Sequence, residues 1–250
     1  MVRSWFSRSH SGLHELGALA LLYGVYEVVR GAPGENVQAA MRHTSEIVAL
    51  EQSVGVYVER GVQEALEAVP GVPTVLGLAY LVLHFVGTTA ALVWLHRRHP
   101  EQFPIVRTTV VAATALALVG YVLYPAAPPR LADLGFADTV TSHTGLNLSS
   151  DLLGALYNPF AAVPSLHFGY ALIVGVVLVR FATHRVVRVA GALYPIAMLL
   201  VIVATGNHFV FDAALGAVVV AAGWLVARLL VDAPPPEPQG AQRLAEPCAS

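Results

Sequence analysis

Residues 205–231 read TGNHFVFDAALGAVVVAAGWLVARLLV, and this stretch decides the fold. The apolar run meets the roughly 20 residues that a helix needs to cross a membrane. Yet a histidine, His208, stands at its start, and a carboxylate, Asp212, lies about a turn inside it. Ionisable groups are costly in such a segment and by default mark function. Outward from it, similar runs occupy about 72–95, 105–124, 166–182 and 186–205, with 208–231 as the last. A weaker run at 13–29 holds Glu15 and Glu27. Both acids read as structural, since Glu27 can pair with Arg30 and Glu15 can reach the inner interface. Arg3 and Arg8 precede that run, but no small-x-small cleavage site follows it, so it reads as a membrane anchor. Composition agrees: 56% of the 250 residues are hydrophobic and 12% charged, against about 25% charged in a soluble domain. The net charge of −2 offers nucleic acid nothing, and the lone Cys248 excludes an internal disulfide or a Cys-rich metal site. The expected fold is all-α and polytopic, with six transmembrane helices.

Arginine placement orients the bundle. Arg3, Arg8, Arg97, Arg98, Arg107, Arg180, Arg185, Arg188 and Arg228 fall on one side if both termini are inside. Arg30, Arg42 and Arg60 oppose this, but share their segment with Glu35, Glu46, Glu51, Glu59, Glu64 and Glu67. Trp94 and Trp224 sit near the inner ends, as interface anchors do. Within 37–69, Ile47, Leu50, Val54, Val58, Val62, Leu66 and Val69 fall on one helical face, opposite Arg42, Glu46, Arg60, Glu64 and Glu67. That pattern predicts an extracytoplasmic amphipathic helix in the interface plane, with Gly55 and Gly61 as candidate breaks. Residues 1–231 form one catalytic membrane domain in this reading. Residues 232–250, with Pro234, Pro235, Pro236 and Pro238, form a disordered cytoplasmic tail. There is no internal repeat.

This topology brings three polar clusters, 124–130, 162–167 and 205–212, to one extracytoplasmic face of a multi-pass cell-membrane protein. The fourth and sixth spans both begin there, after the N-cap types Ser165 and Asn207, and Pro164 stops backward extension. Two helix N-termini with Arg130 make a phosphate cradle. His208 and Asp212, four apart on a helix, share a face, so the carboxylate can orient the imidazole for nucleophilic attack. His167 returns to the same face after one helical hairpin and can serve as general acid. His84 and His143 read as structural contacts. No carboxylate-rich ligand set for a hard cation accompanies the site, so neither metal nor other cofactor is expected.

At these residues the chain resembles the type 2 phosphatidic acid phosphatase superfamily. Pro164-Ser165-Leu166-His167 is similar to its second motif, and His208 with Asp212 to its third. Pro128-Pro129-Arg130 and Asn207-His208 are closer to the inositol phosphorylceramide synthase-like, inositolphosphotransferase branch. The resemblance implies a six-helix fold and metal-independent chemistry through a phosphohistidine. It implies His208 as nucleophile, Asp212 as its partner and His167 as acid/base, with Arg130, Ser165 and Asn207 on phosphate oxygens. Two departures matter. The first-motif lysine has no counterpart, and Ile202 stands where the third motif has an arginine.

The reading is therefore an enzyme that cleaves a lipid phosphoester and passes the phosphoryl-containing group to a lipid hydroxyl or water. The alternatives are a lipid phosphatase acting on phosphatidate or a prenyl diphosphate, a serine protease using Ser165 with His208, and a non-enzymatic lipid-binding or transport protein. Protein partners are not legible.

Overall fold

The computed structural model describes residues 37–145 and 160–231, together with Gly17 and Gly24, which are helical. The rest of the weak span at 13–29, with Glu15 and Glu27, lies outside the described residues, as does the tail at 232–250. The described residues are helical, with no strand. In chain order they form α1 (Val37–Ser53), α2 (Glu59–Glu67), α3 (Val72–Arg98), α4 (Phe103–Leu123), the short α5 (Thr139–Thr144), α6 (Leu166–Phe181), α7 (Arg185–Ala204) and α8 (Val210–Val231).

Four of these, α3, α4, α7 and α8, are long and apolar enough to cross a membrane. The chain is a membrane protein. Leu78, Phe85, Leu123, Ile196 and Leu229 project outward from those helices, an apolar surface suited to lipid rather than water. The expected span at 166–182 is the shorter α6. Its 16 residues rise about 24 Å, less than the ~30 Å hydrocarbon layer. Six full spans are thus not seen among the described residues.

Short connections make consecutive helices antiparallel. Proline near the start of α3 and α4 (Pro73, Pro104) costs no helical hydrogen bond, because the first N–H groups lack partners within the helix. α8 packs on α4 and α6, and α6 on α7. Arg97 and Arg98, Arg185 and Arg188, and Arg228 therefore lie at one end of the bundle. The C-terminal end of α4, the N-terminal end of α6 and the α7–α8 turn lie at the other. Mid-way along α3, an i→i+5 turn at Val82–Gly87 widens the helix, and Tyr194 of α7 donates its hydroxyl to the Leu83 carbonyl there at 2.5 Å. Such turns recur at functional sites.

The 37–69 segment forms two helices. Gly55, at φ 73°, separates α1 from α2, whereas Gly61 lies within α2. The supposed apolar face is largely outside: Leu50, Val54, Val58 and Val69 are exposed, and only Ile47 of that set is fully buried. The inward positions include the polar Thr44, Glu51, Glu59 and Gln63. Burial of carboxyl groups requires partners, and Glu51 and Glu59 find theirs at the start of α8.

Candidate active site

Backbone hydrogen bonds sew the three polar clusters together. Ala126 N–H donates to the Phe160 carbonyl, Arg130 N–H to the Gly206 carbonyl, and Ser165 N–H to the Asp212 carbonyl, each at 2.9 Å. Tyr121 donates its hydroxyl to the Pro164 carbonyl at 3.0 Å. On the outer side of the first cluster, His43 stacks on Tyr124 and approaches the Pro125 carbonyl at 2.7 Å. Tyr124 donates to Glu46, and burial with that contact pushes its phenol up to about 12.

Asp212 is the hub. It occupies the third position of α8 and folds back, so that Oδ2 accepts the Phe209 N–H at 2.9 Å and lies 3.2 Å from His208 Nδ1. An acid there reaching back to the capping residue's N–H is one half of a capping box. His208 lies outside the helix, which begins at Val210. The expected pair on one helical face is therefore a turn residue held by a first-turn carboxylate. The contact survives because Asp212 reaches backward, as side chains in a helix do. Asp212 is fully buried and His208 nearly so.

Asn207 does not cap α8. Its Oδ1 accepts from Arg130 Nε at 2.9 Å, and its Nδ2 donates to Thr205. Arg130 also faces Asp138 at 3.4 Å, and its side chain is enclosed. Ser165 does cap α6, accepting the Phe168 N–H at 3.4 Å. The helix-end cradle predicted from sequence needs correction on α8. The N–H groups of Val210 and Phe211 are taken by Glu59 Oε1 at 2.8 Å and Glu51 Oε1 at 2.7 Å. These carboxylates answer the orphan donors that every helix start presents, so those two N–H groups do not face a phosphate.

The His167 and His208 rings stand 5.5 Å apart between centroids. Two side chains that the sequence reading did not assign to the site join them. Tyr80 stacks on His167 at 4.3 Å, and His84 lies 3.9 Å from it. His84 sits on the widened turn of α3, and its Nδ1 is buried without a hydrogen-bond partner among the described residues. Gln63 of α2 bonds the Ala137 and Ala204 carbonyls and accepts the Ala137 N–H, tying α2 to the loop after Arg130 and to the end of α7. His143 approaches Glu67 at 3.2 Å, at the surface.

His167, His208, Asp212, Arg130, Asn207 and Ser165 thus converge on one end of the bundle. The family model described as the PAP2 superfamily, the type 2 phosphatidic acid phosphatase group, matches residues 45–226. The chain belongs to that superfamily. Membership points to lipid phosphatase or phosphotransferase chemistry on a lipid phosphate in the membrane. The matched region begins within α1, so it takes in Glu51 and Glu59 as well as the three motifs. Comparison with curated proteins and with solved structures returned no match.

Proposed function

We propose that this PAP2-superfamily member is a transferase or hydrolase for a singly charged lipid phosphodiester, working through a phosphohistidine on His208. The observation that carries the reading is the His208–Asp212 contact beside the His167 ring. A carboxylate at Nδ1 fixes the tautomer with its proton there and leaves Nε2 free. Nε2 attacks phosphorus, the P–O bond to the lipid alcohol breaks, and His167 gives its proton to the departing oxygen. The acceptor, a lipid hydroxyl or water, then returns a proton to His167 as its oxygen attacks the phosphohistidine, releasing His208. Arg130, oriented by Asn207, holds phosphate oxygens, and Ser165 shapes the start of α6 beside them.

Charge matching favours the diester. A phosphomonoester carries roughly −1.5 to −2 near neutral pH and calls for several cations. Arg130 is offset by Asp138, and Ile202 occupies the place of the family's second arginine. Arg60, which among the described residues also reaches this loop cluster, is engaged by Glu64 and the Leu134 carbonyl. The first-turn N–H groups of α8 are occupied as well. The catalytic face is extracytoplasmic in this reading, opposite the arginine-rich ends, and residues 1–231 make up the catalytic domain.

The test is incubation of purified protein with phosphatidate, a prenyl diphosphate and phosphatidylinositol, each with and without a lipid alcohol, with every phosphorus-containing product identified. Turnover of the diester with phosphorylated acceptor, blocked by vanadate and persisting in excess EDTA, is the expected result. Preference for phosphatidate or the diphosphate with release of inorganic phosphate alone would replace the transferase by a lipid phosphatase.

A further inference from the structure

Glu51 and Glu59 come from α1 and α2, ahead of α3, yet they grip consecutive N–H groups at the start of α8. Glu59 takes Val210 at 2.8 Å and Glu51 takes Phe211 at 2.7 Å. The next residue, Asp212, holds His208. Both glutamates are almost wholly buried; the second oxygen of each, Oε2, is enclosed and meets no N–H or hydroxyl donor among the described residues, and the two carboxyls lie within hydrogen-bonding reach of each other. A buried carboxylate normally fills all its acceptor sites. Two carboxyls this close to a third, that of Asp212, cannot all carry charge at low cost. An enclosed oxygen with no donor is where a proton reduces that cost.

We propose that Glu51 and Glu59 are positioning residues for the His208–Asp212 pair, two carboxyl groups that clamp the first turn of α8. Burial raises Glu51 from the usual carboxylate range to about 8; the Phe211 N–H acts against this, while the charge of Glu59, a side-chain hydrogen bond with it and the charge of Asp212 act in the same direction as burial. Neutral Glu51 still offers Oε1 to that N–H. Once ionised, it adds a negative charge beside Glu59 and Asp212. Among the described residues, the other titratable and charged groups facing this cluster include His208 on the α7–α8 turn, Tyr124 at the end of α4, Tyr57 between α1 and α2, and Arg60, whose guanidinium is directed to Glu64 and Leu134. The clamp loosens as Glu51 ionises, and the orientation of His208 loosens with it.

The inference rests on the proposed chemistry for its kinetic readout alone. Its structural readout is hydrogen exchange at the amides of Val210 and Phe211 in the purified full chain, corrected for the intrinsic pH dependence. Those amides should be protected at pH 7, lose protection in Glu51→Ala and Glu59→Ala, and lose it in the parent protein as pH passes about 8. Glu51→Gln, which keeps the acceptor and cannot ionise, should restore protection and hold it through that range. In turnover of phosphatidylinositol, Glu51→Ala should lower kcat about tenfold or more with little change in KM. Glu51→Gln should recover most of that loss and move the alkaline fall to higher pH. If an alanine variant does not fold, the comparison of the parent with Glu51→Gln still decides. Equal protection in parent and Glu51→Gln at every pH would overturn the clamp, as would an unchanged alkaline limb in Glu51→Gln. If exchange follows the expected pattern while no lipid phosphate is turned over, the clamp stands and the functional reading falls.

Discussion

At the residue scale the two histidines should separate by chemistry. In the proposed mechanism His208, with Nδ1 toward a buried carboxylate, forms the covalent bond. His167, packed between Tyr80 and His84, is placed to move a proton. His208→Ala should therefore abolish 32P labelling of the protein by a labelled lipid substrate. His167→Ala should slow turnover by about 10²–10⁴-fold, the usual worth of general acid–base help, and still permit labelling when the leaving group is a good one. Label surviving in His208→Ala would move the nucleophile elsewhere. Both histidines were legible in sequence, because Pro164-Ser165-Leu166-His167 and His208 with Asp212 combine residue types that an ordinary membrane helix avoids. His84 was not. Its approach to His167 depends on the widened turn of α3, and an apolar run such as Leu81-Val82-Leu83-His84-Phe85-Val86 carries no local signal of a five-residue turn.

At the element scale the long spans followed from hydropathy, within a few residues. The inner face of α1 and α2 did not. Glu51, Glu59 and Gln63 look like the wet side of a surface helix, because helical periodicity separates apolar from polar residues without saying which side faces inward. Here the buried partner is itself polar, an uncapped helix start, and so the usual assignment inverts. Residues 151 and 160 positions apart in sequence share no pattern that one sequence displays. A consequence for stability follows. Glu51 is raised from 4.5 to about 8 in the folded protein, so folding favours its protonated form. That contribution is complete below about 4.5, is lost as pH rises toward 8, and is constant above it. Thermal unfolding in detergent should show that decline in the parent and a smaller one in Glu51→Gln. The contact between α6 and α8 gives another test. A side chain on Gly216 would press on the Ser165 backbone, with its Cβ 3.2 Å from the carbonyl carbon and closer still to the oxygen. Small residues permit such approaches between membrane helices. Gly216→Ala should cost about 1–3 kcal/mol by overpacking, read as a lowered Tm, and should lower kcat because the displaced Ser165 N–H is bonded to the Asp212 carbonyl.

At the scale of the whole molecule, Arg97, Arg98, Arg185, Arg188 and Arg228 lie at the end of the bundle opposite the motif clusters, and the proposed orientation, from positive-inside bias, puts the motif end on the extracytoplasmic side. Cysteines at Ala137 and Thr183, both exposed, in a Cys248→Ser background should report this. A membrane-impermeant maleimide added to intact cells should label Ala137→Cys, and should reach Thr183→Cys only after permeabilisation. The reverse pattern would invert the protein in the membrane.

The grip of Glu51 and Glu59 on Val210 and Phe211 also bears on biosynthesis. A ribosome releases the clamp's two halves far apart in time, and the second half arrives with the final long helix. Until then the two carboxyls have no helix start to hold, and the Arg130 N–H lacks the Gly206 carbonyl that it meets in the finished protein. Chains stopped before residue 205 should insert their earlier helices yet leave residues 37–69 open to protease. Completion of α8 should close that segment in one step, so that a late-emerging helix determines when residues 37–69 become ordered.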